Sequence, residues 1–129
     1  MENANANKSL GHIGEDRACE YLRDKGHKIL NRNYRKPWGE IDIVARAKDN
    51  TLVFIEVKTV TGRGEGEIRP EDQMSAAKLK KFRLICETFV AHEPSLINER
   101  RGWRMDVLAI DAAENSDPKT WTIRHYENI

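Results

Sequence analysis

The chain has 129 residues, one-third of them charged, and a formal net charge of only +1, the size and balance of one globular domain. A near-neutral total does not announce a nucleic-acid-coating protein, although a carboxylate-lined site would offset basic residues elsewhere. With no secretory leader and no membrane-spanning apolar run, the sequence reads as a soluble cytoplasmic protein with no membrane role.

Residues 1–8 are polar and low in complexity, and they read as a disordered tail ahead of one domain over residues 9–129. Ser9 is placed to cap a helix running to about Lys25, with Gly26 as its stop. Leu10, Ile13, Ala18, Tyr21 and Leu22 form its inward stripe, and Glu15 lies close to that stripe. Cys19 and Cys86 fit no zinc or redox spacing and read as core packing. His27 to Tyr34 reads as a first strand leading into Arg35-Lys36-Pro37-Trp38, where basic residues beside an exposed indole could hold a phosphate backbone and stack on a base.

Two runs then stand out. Gly39-Glu-Ile-Asp-Ile-Val-Ala has the alternation of a half-buried strand, and Leu52-Val-Phe-Ile-Glu-Val-Lys-Thr is a nearly continuous apolar strand with Glu56 and Lys58 set into it. Successive side chains alternate across a strand, so Glu56 and Lys58 share a face, roughly 7 Å apart. If Lys48-Asp49-Asn50 is the hairpin loop, Ile43 pairs with Ile55, Ala45 with Val53, Ile41 with Val57, and Asp42 faces Glu56. In that register one face is apolar and the other carries Glu40, Asp42, Glu56 and Lys58. Two carboxylates roughly 5 Å apart repel unless a cation lies between them. A hard, oxygen-seeking divalent ion such as magnesium suits that gap, with Lys58 beside it to hold a water or a phosphate oxygen. The set is suited to metal-assisted phosphodiester hydrolysis. A solvated surface hairpin with ordinary ion pairs is the competing reading.

Thr61 to Pro70 reads as a flexible loop carrying Arg63 and Arg69, candidate clamps on a substrate. Its glycines match neither phosphate-loop spacing, so no nucleotide cofactor is expected. Pro70 opens a second helix reaching about His92, with Phe82, Ile85 and Phe89 inward and Lys78 bordering the buried side within reach of a phosphate. Trp103 to Ile110 forms a fourth strand, with Asp106 on the face opposite Met105, and Thr120 to Tyr126 forms a fifth at an edge. The four histidines show no zinc spacing. A carboxylate-pair glycosidase is disfavoured by the lysine beside the pair.

The order helix, three strands, helix, two strands, together with Asp42, Glu56 and Lys58, resembles the PD-(D/E)xK nuclease superfamily. More closely, the chain from about Leu10 resembles the YraN family of small bacterial proteins. The similarity lies in Gly14-Glu15, Ala18, Tyr21-Leu22, Asn33, Arg35, residues 39–45, residues 54–59, Lys78 and Arg104-Met-Asp-Val. The resemblance implies a restriction endonuclease-like three-layer α/β/α fold with a mixed central sheet, and Mg2+- or Mn2+-dependent endonuclease activity on DNA or structured RNA, DNA foremost. It also implies that Asp42, Glu56, the Val57 carbonyl and Glu15 hold the metal and that Lys58 is the catalytic lysine; Arg35, Lys36, Arg63, Arg69 and Lys78 are the residues whose charge and position suit contacts to nucleic acid. Val60 stands where relatives often carry arginine. A homodimer would be required to cut both strands of a duplex. A non-catalytic nucleic-acid-binding or protein-interaction module on the same fold is the alternative.

Overall fold

The computed structural model describes residues 9–62, 74–113 and 115–129. Helix α1 (Leu10–Asp24) is followed by strands β1 (Lys28–Lys36), β2 (Gly39–Arg46) and β3 (Leu52–Gly62), helix α2 (Ala76–His92), then β4 (Trp103–Ala113) and β5 (Thr122–Tyr126). Short 3-10 turns at Pro94–Leu96 and Pro118–Thr120 introduce the last two strands. The five strands form one sheet in sequence order. All neighbours are antiparallel except β3 and β4, which run parallel. That parallel join demands a crossover, and α2 lies in it.

Helix α1 starts where the Ser9 hydroxyl accepts the His12 N–H at 3.1 Å, and the chain turns off at Gly26 with φ +94°. Its buried line is Gly14, Ala18, Cys19 and Leu22, whereas Leu10, expected inside, is 40% exposed. Gly14 is there because α1 crosses β3 closely: a Cβ on it would lie 2.9 Å from Thr59 Cβ and closer still to its hydroxyl. Helix α2 is shorter at its start than Pro70 suggested. Met74 and Ser75 lie outside it, and the Ser75 hydroxyl caps it by accepting the Lys78 N–H at 3.2 Å. The Pro70 start, the tail at 1–8, and Arg63 and Arg69 fall outside the described residues.

Each helix covers one face of the sheet. Ala18, Cys19 and Leu22 of α1 pack with Ile43, Ala45, Val53, Ile55, Leu108 and Ile110. Phe82, Ile85, Cys86 and Phe89 of α2 pack with Ile41, Val44, Leu52, Phe54 and Met105. Phe54 is wedged edge-on between Phe89 and Trp103, with ring centroids 5.5 and 5.3 Å away. Both cysteines are buried and free, as core residues.

The expected hairpin register is present from Ile43–Ile55 through Arg46–Leu52. Its loop closes through Asn50, whose φ is +76°, and through the Asp49 carboxylate, which accepts the Thr51 N–H at 3.0 Å. Two details differ. The second face is not a charged face, because Val44 and Phe54 lie on it under α2. Nor do Ile41 and Asp42 pair with Val57 and Glu56: the ladder ends at Ile43–Ile55, Ile41 packs with the α2 cluster and Val57 with the α1 cluster. The alternation of β2 therefore breaks at Asp42. Across from it on β1 lies Asn33, in the left-handed region at φ +56° and skipped between the pairs Arg32–Ile43 and Tyr34–Ile41, as Leu30 is skipped at the register shift between Ile29 and Asn31. Such an irregularity bends a strand and re-aims a side chain.

Candidate metal centre and nucleic-acid interface

Beyond Ile43–Ile55, β2 stays paired with β1 as far as Gly39, while β3 stays paired with β4 as far as Gly62. The sheet is thus split between β2 and the central strand β3. Asp42 stands at the fork, 8% exposed, and its Oδ2 accepts the Val57 N–H at 2.8 Å, so a side chain replaces the missing ladder bond. An extended residue sends its N–H and C=O to the same side, and the Val57 carbonyl leaves β3 on the side of the fork.

Glu56 follows Ile55 at the fork and faces a hollow of about 210 Å3 beneath α2. Phe82 and Ile85 form apolar lining there, Trp38 and Glu40 stand on the β1–β2 side, and Lys58, Lys78 and Lys81 add positive charge. Lys78 and Lys81 are one turn apart on α2, so both reach the hollow. The sequence marks only Lys78 at the border of the buried side and does not single out Lys81; the i, i+3 step from Lys78 and the i, i+4 step to Ile85 are the signal that points to it.

The electrostatics of the fork are those of two uncompensated carboxylates. Burial pushes Asp42 up to about 6, against the hydrogen bond from Val57 and with further pressure from Glu15 and Glu40. Burial and then the neighbouring Asp42 push Glu56 up to about 8, with Lys58 and Lys78 opposing. Among the described residues neither carboxylate has an ion-pair partner within 4 Å. At 8% exposed, Asp42 is not the carboxylate of a solvated surface hairpin.

Glu15 comes from α1, next to Gly14 at its close crossing, and is half-buried. Its carboxylate takes an Arg32 N–H at 3.4 Å, while Arg32 bonds more tightly to Asp16 at 2.9 Å. Glu15 is therefore near enough to act on Asp42 but is engaged with β1. Among the described residues no three His, Cys, Asp or Glu side chains gather as a ready metal cage. The donor set that fits a hard cation is Asp42, Glu56 and the Val57 carbonyl, with the remaining positions left to water or phosphate oxygens, as magnesium prefers.

The other candidates divide by position. Arg35 and Lys36 end β1 and line a second hollow with Pro37, Trp38 and Lys81. Lys78 faces the carboxylate hollow itself. Arg63 and Arg69 belong to the undescribed stretch. Asp106 lies elsewhere, fully buried beneath α1, accepting from Arg104 Nε at 3.0 Å, His125 Nε2 at 2.8 Å and the Asn128 N–H at 3.0 Å. Burial alone would raise its pKa, but those hydrogen bonds outweigh it and hold the carboxylate low. It ties β4 to β5 and the C-terminal segment, and it is no part of the fork.

Comparison with known sequences shows a match to the uncharacterised protein family UPF0102 over residues 14–110, a span that runs from the close α1 crossing into β4. The chain belongs to the UPF0102 family. A UPF0102 protein of Syntrophotalea carbinolica is 43% identical over 102 residues, covering 79% of this chain and 78% of its own. Those of Alkaliphilus oremlandii and Desulforamulus reducens are 37% and 33% identical over 127 and 121 residues, covering 95% and 94% of this chain and 97% and 94% of theirs. UPF0102 is the YraN family, so that part of the resemblance holds. Glu15, Asp42, Glu56, Lys58 and Lys78 all fall inside the matched span. Among the described residues no helix is long and apolar enough to cross a membrane.

Proposed function

We propose that the fork is the centre of a metal-dependent phosphodiester hydrolase of the PD-(D/E)xK type, acting on nucleic acid. The observation that carries the reading is the pair Asp42, buried, and Glu56, half-buried, close enough to repel at a break in the sheet and without an ion-pair partner among the described residues. Uncompensated buried carboxylates are costly, and a bound cation is the chemistry that turns this cost into affinity. Magnesium or manganese there supplies Lewis-acid polarisation of a phosphoryl oxygen and a more acidic water.

The chain's own groups supply the rest. Asp42 is oriented by the Val57 N–H, which fixes one carboxylate oxygen and leaves the other for a ligand. Lys58, exposed on the same face of β3 as Glu56, brings a positive charge to the phosphate and restrains the attacking water. Lys78 adds charge from the α2 side of the same hollow. Glu15 can join the donor set by exchanging its Arg32 contact, and Arg32 keeps its shorter bond to Asp16.

The test is Mg2+- and Mn2+-dependent cleavage of branched, single-stranded and duplex substrates by wild type, Asp42→Asn and Lys58→Ala. Cleavage is expected from wild type and a loss of at least about 100-fold from each variant. Equal cleavage by all three would sink the assignment. A non-catalytic binding module is favoured by one observation: among the described residues no three His, Cys, Asp or Glu side chains are grouped to hold a metal, and Glu15 is engaged with Arg32. Binding by wild type and variants alike, without cleavage by any, is the result it demands.

A further inference from the structure

Among the described residues Trp38 is the most exposed large hydrophobic side chain, at 54%. It is the partition between two hollows. On one side are Glu56, Lys58 and Lys78; on the other are Arg35 and Lys36; Glu40 and Lys81 border both, so the cations outnumber the carboxylates around the ring. The indole forms no ring contact with any described residue, although aromatic pairs and cation–π contacts hold other rings of the chain. An indole left open in this way, flanked by positive charge and next to a phosphate-seeking centre, has the elements of a single-strand binding platform: a flat π-face for a base and cations for the backbone on either side.

We propose that Trp38 stacks on an unpaired base adjoining the phosphate at Glu56 and Lys58, so that the substrate class is nucleic acid with a single-stranded segment rather than continuous duplex. This rests on the reading of the fork as a nucleic-acid site. A base inside a duplex has both faces covered by its neighbours, whereas an unpaired base offers one to the indole. Arg35, Lys36 and Lys81 then receive the backbone on the far side of the stacked base, without selecting its identity.

The experiment is fluorescence anisotropy of a labelled oligothymidylate and of a duplex with the same number of nucleotides, titrated with the full chain in EDTA so that binding is read without cleavage. Wild type is expected to prefer the single strand. Trp38→Ala should weaken single-strand binding about ten-fold and duplex binding by less than about two-fold, and Trp38→Phe should restore most of the loss. Lys81→Ala should weaken both and flatten the salt dependence by about one unit of slope. Melting curves establish that Trp38→Ala is folded. Equal losses on both substrates, or no loss on either, overturn the stacking role while leaving the fork's chemistry to the cleavage assay. Trp38-dependent binding without any cleavage removes the hydrolase and keeps the platform. Binding to neither nucleic acid overturns both.

Discussion

Glu56→Gln should make the protein more stable at alkaline pH, although it removes a residue assigned to the site. Glu56 is displaced upward from 4.5 to about 8, so the folded chain holds a proton that the unfolded chain has already released. Between those values the native state binds more protons, and stability falls as pH rises. Each pH unit of displacement is worth about 1.4 kcal/mol, which bounds the penalty near 5 kcal/mol. Asp42 and Glu56 share their titration, and water reaches Glu56 from the open hollow, so about 2–3 kcal/mol is the expected size. Urea denaturation at pH 5 and pH 8.5 measures it. Wild type should lose about that much across the interval, and Glu56→Gln should lose much less. Millimolar Mg2+ should restore wild type at pH 8.5 and leave the variant unchanged, because only a ligand bound to the native state stabilises it. Identical pH slopes in the two proteins would refute the account of the fork as an uncompensated carboxylate pair.

Asp106→Ala should cost about 3–5 kcal/mol, because it strands the Arg104 guanidinium, His125 and the Asn128 N–H around a fully buried position. The depressed pKa of Asp106 adds stability above its unfolded value near 3.8 that disappears as pH falls through its folded value, and acid titration of the variant should lack this step. Gly14→Ala should destabilise by about 1–3 kcal/mol despite alanine's better helix propensity, since the methyl meets Thr59, and adding Thr59→Ala should recover part of the loss. A more stable Gly14→Ala protein would show that the crossing is not tight. His27 is buried with neither ring nitrogen hydrogen-bonded to a described residue; burial, then His125, hold its pKa below 6.5. The unfolded chain therefore takes up that proton first, and stability drops as pH falls below about 6.5. His27→Phe should remove that drop in thermal melts between pH 5 and 7.5.

Much of this molecule is written in its local chemistry. The alternation of Ile41 to Ala45, the apolar run of Leu52 to Ile55 and the turn chemistry of Asp49-Asn50 specify the hairpin and its register, because a slip by one residue would turn a buried face to water. Ser9 and Gly26 likewise mark the ends of α1. Asp42, Glu56 and Lys58 were legible as a group because charge set among buried apolar residues is costly and therefore conspicuous.

What periodicity could not supply was the departure from periodicity. The fork depends on the left-handed Asn33, the broken alternation at Asp42 and the ladder ending at Ile43–Ile55, and these arise where two strands bend under different neighbours. Arg32 engaging Glu15, and Asp106 meeting His125, join residues far apart in the chain, and nothing in the spacing of either pair signals the contact. Trp38 is ambiguous in the same way: a turn tryptophan is as readily buried as exposed until the surrounding elements are placed. The sequence by itself determined which residues prefer to be inside and which pairs of strands match; the tertiary structure alone decided that Asp42 and Glu56 meet at the fork without an ion-pair partner among the described residues, because contacts between distant segments leave no local period.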